Sequence, residues 1–216
     1  MSNSNFDLRH RLIGNLGYTI NYGKDNMFGT SVNLFYAGRS GGAFTYLYNG
    51  DLNGDGANGN DLLYVPNSAS EIKLLDIVNK SGEVVSTAAQ QWEALNAYIE
   101  QDDYLKTRRG QYAERNGAFM PWQHQFDLRI AQDIGGIFNG TKNRLQLTFD
   151  IFNVGNLLNN KWGRNYSVSN SAYQLISYNN KDEGFTFAGP KDNKAYSVSS
   201  LASRWQGQFG IRYIFN

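Results

Sequence analysis

The chain has 216 residues with 20 basic and 19 acidic side chains, a formal net charge of +1, and no cysteine. This balance speaks against a duplex-binding module, which carries a basic excess, so no nucleic-acid partner is expected. The missing cysteines exclude disulfides and thiolate metal sites. No apolar run reaches the roughly 18 residues that a membrane helix needs, whereas a membrane β-strand needs apolar residues only at alternate positions.

Five segments alternate with period two, the pattern of strands with one apolar face. The first covers about 10–22, with Leu12, Leu16, Tyr18, Ile20 and Tyr22 on one side and Arg11, Asn15, Thr19 and Asn21 on the other. A tight polar turn, Gly23-Lys24-Asp25-Asn26, leads to a second segment near 28–48, read as resuming after Gly41-Gly42 with Phe44, Tyr46 and Tyr48. The long connection 49–119 follows. Within it Ala88, Trp92, Leu95 and Ile99 have helical spacing, so one amphipathic helix is expected between Ser86 and Arg108, capped by Ser86 or Thr87 and packed over the mouth of the sheet structure. The third strand is expected near 122–134 and the fourth near 144–155, joined by the Gly/Asn-rich stretch Gly135 to Asn143. A second long connection, 156–203, precedes the last strand near 204–215, where Trp205, Phe209, Ile211, Tyr213 and Phe215 share a side.

Short turns therefore alternate with long connections. A transmembrane β-barrel sorts its connections this way, with short periplasmic turns and long extracellular loops. The fold class expected is all-β: an antiparallel transmembrane β-barrel fragment of about five strands, with long extracellular loops and one short loop helix. Trp205 to Phe215, tilted as barrel strands are, rises roughly 25 Å along the membrane normal, which matches the apolar band of a bacterial barrel. An open sheet edge is not viable in lipid, so the closing strand is expected to pair with a barrel strand outside this sequence. The start Met1-Ser-Asn-Ser-Asn5 has neither the basic start nor the apolar core of an export signal, and the chain is read as part of a longer precursor.

Three stretches carry a resemblance. Phe119 to Ile130 (FMPWQHQFDLRI), Leu147 to Asn159 (LTFDIFNVGNLLN) and Arg204 to Phe215 (RWQGQFGIRYIF) resemble the end of a TonB-dependent outer-membrane receptor. The loop Tyr48 to Pro66 (YNGDLNGDGANGNDLLYVP) is similar to the Oar-like/SusC-like subgroup, and the likeness spans nearly the whole chain. Asn216 after the terminal aromatic departs from the family's usual ending. The resemblance implies a 22-stranded barrel in the cell outer membrane of a Gram-negative bacterium, with an N-terminal plug. It also implies energy supplied by the TonB complex, active uptake of a scarce or large nutrient, and a surface lipoprotein as a further partner. Outer-membrane lipid, the plug and the missing strands are the other partners expected.

The strongest local motif lies in the first long connection. Asp51, Asn53, Asp55, Asn58 and Asp61, with Gly56 at the turn, place carboxylate and amide oxygens at the alternation that a Ca²⁺ loop uses. Asp61 arrives one residue earlier than the last ligand of an EF-hand loop, and the same residues also suit an Asn/Gly turn held by its own side chains. Both readings stand at this point. The inward-facing polar set comprises Arg11, Asn15, Arg39, Asp127, Arg129, Asp133, Arg144, Asp150 and Arg212, whose mixed signs suit an ion-pair lattice. His10 and His124 fall at the same end of their strands and lack a third ligand of the kind metal sites need. Aromatics of the long connections (Tyr64, Trp92, Tyr98, Tyr104, Tyr112, Trp162, Tyr166, Tyr173, Tyr178) suit either a binding surface or loop packing, with packing expected for Trp92. No hydrolase elbow or phosphate-cradling loop occurs, and the chain is read as a transporter rather than an enzyme. The rivals are a small outer-membrane barrel acting as adhesin or structural protein, and a secreted carbohydrate-binding β-sandwich.

Overall fold

The computed structural model describes residues 3–4, 6–136 and 143–215. Strands dominate its regular structure, and a single helix longer than five residues occurs among the described residues. The main elements are β1 (Arg11–Tyr22), β2 (Phe28–Arg39), β3 (Ala43–Asn49), α1 (Ala88–Gln101), β4 (Gln123–Gly135), β5 (Arg144–Phe152), β6 (Ala172–Asn179) and β7 (Gln206–Ile214). The chain forms two compact units, a sheet unit (Leu8–Ser40, Pro121–Tyr166, Val198–Asn216) and a core unit (Met1–Asp7, Gly41–Met120, Ser167–Ser197).

The sheet unit is one five-stranded sheet in the order β1-β2-β4-β5-β7. Every pairing is antiparallel. Because directly opposed residues project from the same face, the register sorts whole rows of side chains. Tyr18, Val32, Ile130, Phe149 and Phe209 form one row across all five strands; Leu16, Leu34, Leu128 and Ile151 form another. Tyr22, Phe28, Ile134, Leu145 and Tyr213 form a third. These rows make one continuous apolar face, and it is open: Leu16 is 72%, Tyr18 69% and Ile211 67% exposed. The opposite face carries Asn33, Arg129, Asp150 and Gln208 in one row and Asn21, Asp133, Gln146 and Arg212 in another. The polar positions read from alternation thus do share a face. The β1–β2 turn is built on Gly23 (φ 82°) with Asp25 and Asn26 also left-handed, a conformation that favours glycine and asparagine. The turn expected at Gly135 to Asn143 lies mostly outside the described residues, as does Asn216.

The core unit has a conventional buried interior. Its four-stranded sheet runs Gly184–Thr186, β6, β3, Ala118–Phe119, with β3 and β6 parallel. Tyr46, Leu63, Val65, Leu95, Ile99, Leu105 and Ile176 are buried to 1% exposure or less. Helix α1 starts at Thr87, whose side chain accepts from the Gln90 amide while Gln90 returns a bond to the Thr87 amide, a complete capping box. Its buried face is Gln91, Leu95, Tyr98 and Ile99. Gln91 is anchored by donating to Leu75 O and accepting from the Phe187 amide.

Burial in this core acts on three tyrosines. Tyr46 gives its one hydroxyl proton to Asp102 Oδ2 at 2.6 Å, so Tyr98 is the donor in its 3.1 Å bond to Tyr46. Burial, then the neighbouring Tyr98 and Asp102, pushes the Tyr46 phenol far above its ordinary range. Burial raises Tyr98 as well and pushes Tyr48 up to about 12. A raised phenol pKa adds stability that is full below the unfolded value of 10.0 and is lost as pH climbs from there toward the folded value. The core unit is therefore expected to weaken above pH 10 and to release these phenolates only on unfolding. Ring NMR signals assigned to Tyr46 and Tyr98, followed beside circular dichroism, check this; either ring ionising well before loss of structure would contradict it.

Three expectations are corrected. The segment 28–48 is two strands: β2 ends at Arg39, and β3 belongs to the core unit, where six consecutive residues from Ala43 are buried. Burial on both faces removes the need for alternation, so the aromatic spacing of Phe44, Tyr46 and Tyr48 was no guide to membership of the first sheet. The fourth strand stops at Phe152 because Asn153 turns left-handed (φ 54°, ψ 49°) and starts the short helix Val154–Leu158. The connections 49–119 and 156–203 are not simple loops; large parts of both fold together as the core unit, and 156–203 contributes β6.

Candidate functional site

Two concavities among the described residues lie on the polar face of the sheet unit. The smaller, about 290 Å³, is bordered by Asn15, Asn33, Asp127, Arg129 and Asp150. There Arg129 Nε and Asp150 Oδ1 stand 3.6 Å apart on neighbouring strands. Two rows further along the polar face, toward the short turns, Gln146 donates to Asp133 Oδ1 at 2.9 Å. Of the ion-pair lattice expected from the sequence, this part of the face forms one ion pair, Arg129–Asp150, and one amide–carboxylate bond.

The larger cleft, about 370 Å³, lies at the end of the sheet from which the chain leaves β2 and enters β4. Arg11, Arg39, Gln123, Asp127 and Arg164 are among its walls. Arg39 donates through Nε to Gln123 Oε1 at 2.7 Å and through Nη2 to Asn165 Oδ1 at 3.2 Å. Arg164 and Asn165 come from the connection after β5 and had no signal in the alternation.

That connection is tied down by Asn153. Its backbone N–H donates to Asp127 Oδ1, and its side-chain Nδ2 donates to both Gly163 O and Ser203 O, all at 2.8 Å. Gly163 must be glycine: its φ is +61°, and a Cβ there would lie 1.8 Å from Asn153 Oδ1.

On the apolar face at the same end, aromatic rings form a chain. His10 stacks on Trp122 (6.1 Å between centroids), Trp122 on His124 (5.9 Å), and His124 on Tyr36 (6.1 Å). The histidines are thus bridged by Trp122, and His124 Nδ1 shares a 2.8 Å hydrogen bond with the Tyr36 hydroxyl.

In the core unit the Asp-rich loop is closed by its own donors. Asp51 accepts from the amides of Asp55 (3.0 Å) and Gly56 (2.9 Å), and Asp61 Oδ2 accepts from the Leu52 amide at 2.8 Å. Asn53 Oδ1 accepts from the Asp55 amide at 2.9 Å, and among the described residues the Asn58 side chain adds no bond to the loop. The Ala57 amide first, then the Asn60 and Asn53 side chains, hold the Asp55 carboxyl below the usual carboxylate range. Among the described residues no group of three or more His, Cys, Asp or Glu is arranged to hold a metal ion. Asp55→Ala is expected to free the Ala57 amide and speed its hydrogen exchange, leaving exchange in α1 unchanged. Slow Ala57 exchange in the variant would show that other contacts hold the turn. Ca²⁺ ligation would require Asp51 and Asp55 to trade these donors for the metal, which calorimetric titration with Ca²⁺ reads directly.

The connection aromatics divide by packing. Tyr98 is in the core, with Tyr64, Trp92, Tyr104 and Tyr173 packed against it. Tyr112 and Trp162 remain 60% and 56% exposed. Comparison of the chain with protein-family models, with curated proteins and with solved structures finds no match.

Proposed function

We propose that this chain is the C-terminal part of a TonB-dependent outer-membrane receptor. On this reading its sheet unit is a segment of a transmembrane barrel, and its core unit belongs to the extracellular connections. The observation that carries the reading is the open apolar face of the sheet unit, continuous across all five strands and backed by a polar face. A monomeric soluble protein rarely leaves so large an apolar area to water, whereas a barrel turns such a face to lipid and the polar face to its lumen. The sorting of connections agrees: β1–β2 and β4–β5 are joined at one end, and the chain leaves β2 and β5 at the other. Aromatics at both ends of the apolar face, Trp122 and Trp205 at one and Tyr22 and Tyr213 at the other, fit the two interfacial girdles. Function then follows the family resemblance: substrate capture on the outside, and TonB-driven rearrangement of the plug to release it inward.

The full-length protein, folded into lipid vesicles, is expected to run faster on unheated than on heated denaturing gels and to resist protease across the sheet strands. This chain alone is expected to need detergent. A monodisperse, detergent-free monomer would overturn the reading in favour of a soluble β-sandwich.

A further inference from the structure

We propose that the larger cleft on the polar face is a binding site for a small oxyanion-rich ligand, one bearing several carboxylate or phosphate groups. Arg11 and Arg39 are directly opposed on β1 and β2 and project from the same face. Like charges placed this way destabilise a strand pair, so their juxtaposition calls for a compensating charge. Arg164 adds a third guanidinium to the same walls.

None of the three finds a carboxylate partner. Arg39 donates to the neutral oxygens of Gln123 and Asn165, and Arg164 Nε to Asn160 O at 3.1 Å. Arg11 has no hydrogen-bond or ion-pair partner among the described residues. One carboxylate, Asp127, borders the cleft, and its Oδ1 is taken by the Asn153 amide and by Gln125 Nε2 at 3.0 Å. The contrast lies on the same face, where Arg129 faces Asp150 across one strand pair. Charge is thus paired in the middle of the face and left positive at this end. Guanidinium forks match carboxylate and phosphate oxygens in pairs, and about 370 Å³ holds a molecule the size of citrate or pyrophosphate. The role of the cleft as a capture point rests on the transport reading, which places it at the outer end of the lumen; binding itself does not.

The test titrates the full-length protein, folded in detergent, with citrate, with pyrophosphate and with maltose as a neutral control. Folding is verified separately by the gel shift. Saturable binding of citrate or pyrophosphate without maltose binding is expected, and Arg39→Gln or Arg11→Gln should weaken it by about tenfold or more. Arg212→Gln, toward the opposite end of the face, should leave it unchanged. Phenylglyoxal labelling of the unmutated protein, mapped by mass spectrometry, locates the site without any variant: bound citrate or pyrophosphate should protect Arg11, Arg39 and Arg164. A folded barrel that binds neither anion, or that protects other arginines only, overturns the oxyanion site and leaves the barrel standing. Loss of the gel shift overturns the barrel instead.

Discussion

Phe149→Arg is expected to cut the yield of folded, vesicle-inserted protein by more than tenfold. Phe149 stands in the row Tyr18, Val32, Ile130, Phe149, Phe209, midway along the apolar face, and is 42% exposed. If lipid covers that face, an arginine at mid-depth costs about 2–4 kcal/mol, and the lost ring contacts add to it. A polar-face control, Gln208→Arg on the neighbouring strand opposite Asp150, should fold nearly as well as the parent. In a soluble sheet the order reverses, because water solvates the new charge and an exposed phenyl ring is removed. Equal yields for Phe149→Arg and the parent in vesicles would therefore remove the main support for a membrane barrel.

The second large effect is expected at Asn153, where a left-handed backbone, burial and two side-chain hydrogen bonds coincide in one residue. The residue holds a left-handed backbone (φ 54°, ψ 49°), which asparagine tolerates better than other residues with a side chain. Its Nδ2 satisfies two carbonyls, Gly163 O and Ser203 O, in a site where Asn153 is only 4% exposed. Asn153→Leu leaves both carbonyls without that donor, at about 1–3 kcal/mol each, and adds about 1 kcal/mol of backbone strain. Asn153→Gly relieves the strain and keeps the loss of bonds, whereas Asn153→Ala keeps both the strain and the loss, so the difference between the glycine and alanine variants reads mainly the backbone share. Asn153→Asp keeps shape and conformation but turns a carboxylate oxygen toward a carbonyl, and should be at least as damaging as leucine. Thermal unfolding in detergent measures all four; an unchanged midpoint for Asn153→Leu would show that Gly163 and Ser203 are held by other contacts. The same substitutions should loosen Arg164 and Asn165, and with them one wall of the arginine cleft.

These sites differ in how far the sequence exposes them. The five strands of the sheet unit are visible because one face is apolar and the other polar, which writes period two into β1, β2, β4, β5 and β7. The start of α1 is visible because Thr87 and Gln90 spell a capping box. β3 is hidden for the opposite reason: with both faces buried, nothing distinguishes inward from outward positions. β6 is hidden because its main partner, β3, lies far away in the chain and is parallel, while its hairpin with Gly184–Thr186 spans only three residue pairs. The arginine cleft needs more than parity. Alternation puts Arg11 and Arg39 on one face, but only the register imposed by the Gly23 turn sets them directly opposite. Arg164 reaches the cleft through a connection whose path depends on Asn153.

The parallel pairing of β3 with β6 also has a kinetic consequence. Asn49 bonds Ser177, 128 residues further along. Such a contact must close a long stretch of chain before it yields any return, and folds rich in non-local contacts form slowly. β1 and β2, joined by a five-residue turn, can zip while the rest of the chain is still being delivered, but the interior around Tyr46 and Ile176 cannot assemble until β6 has arrived. During that interval Phe44, Tyr46 and Tyr48 stand uncovered, a window in which a holdase chaperone or a protease meets the chain before its own C-terminal half does.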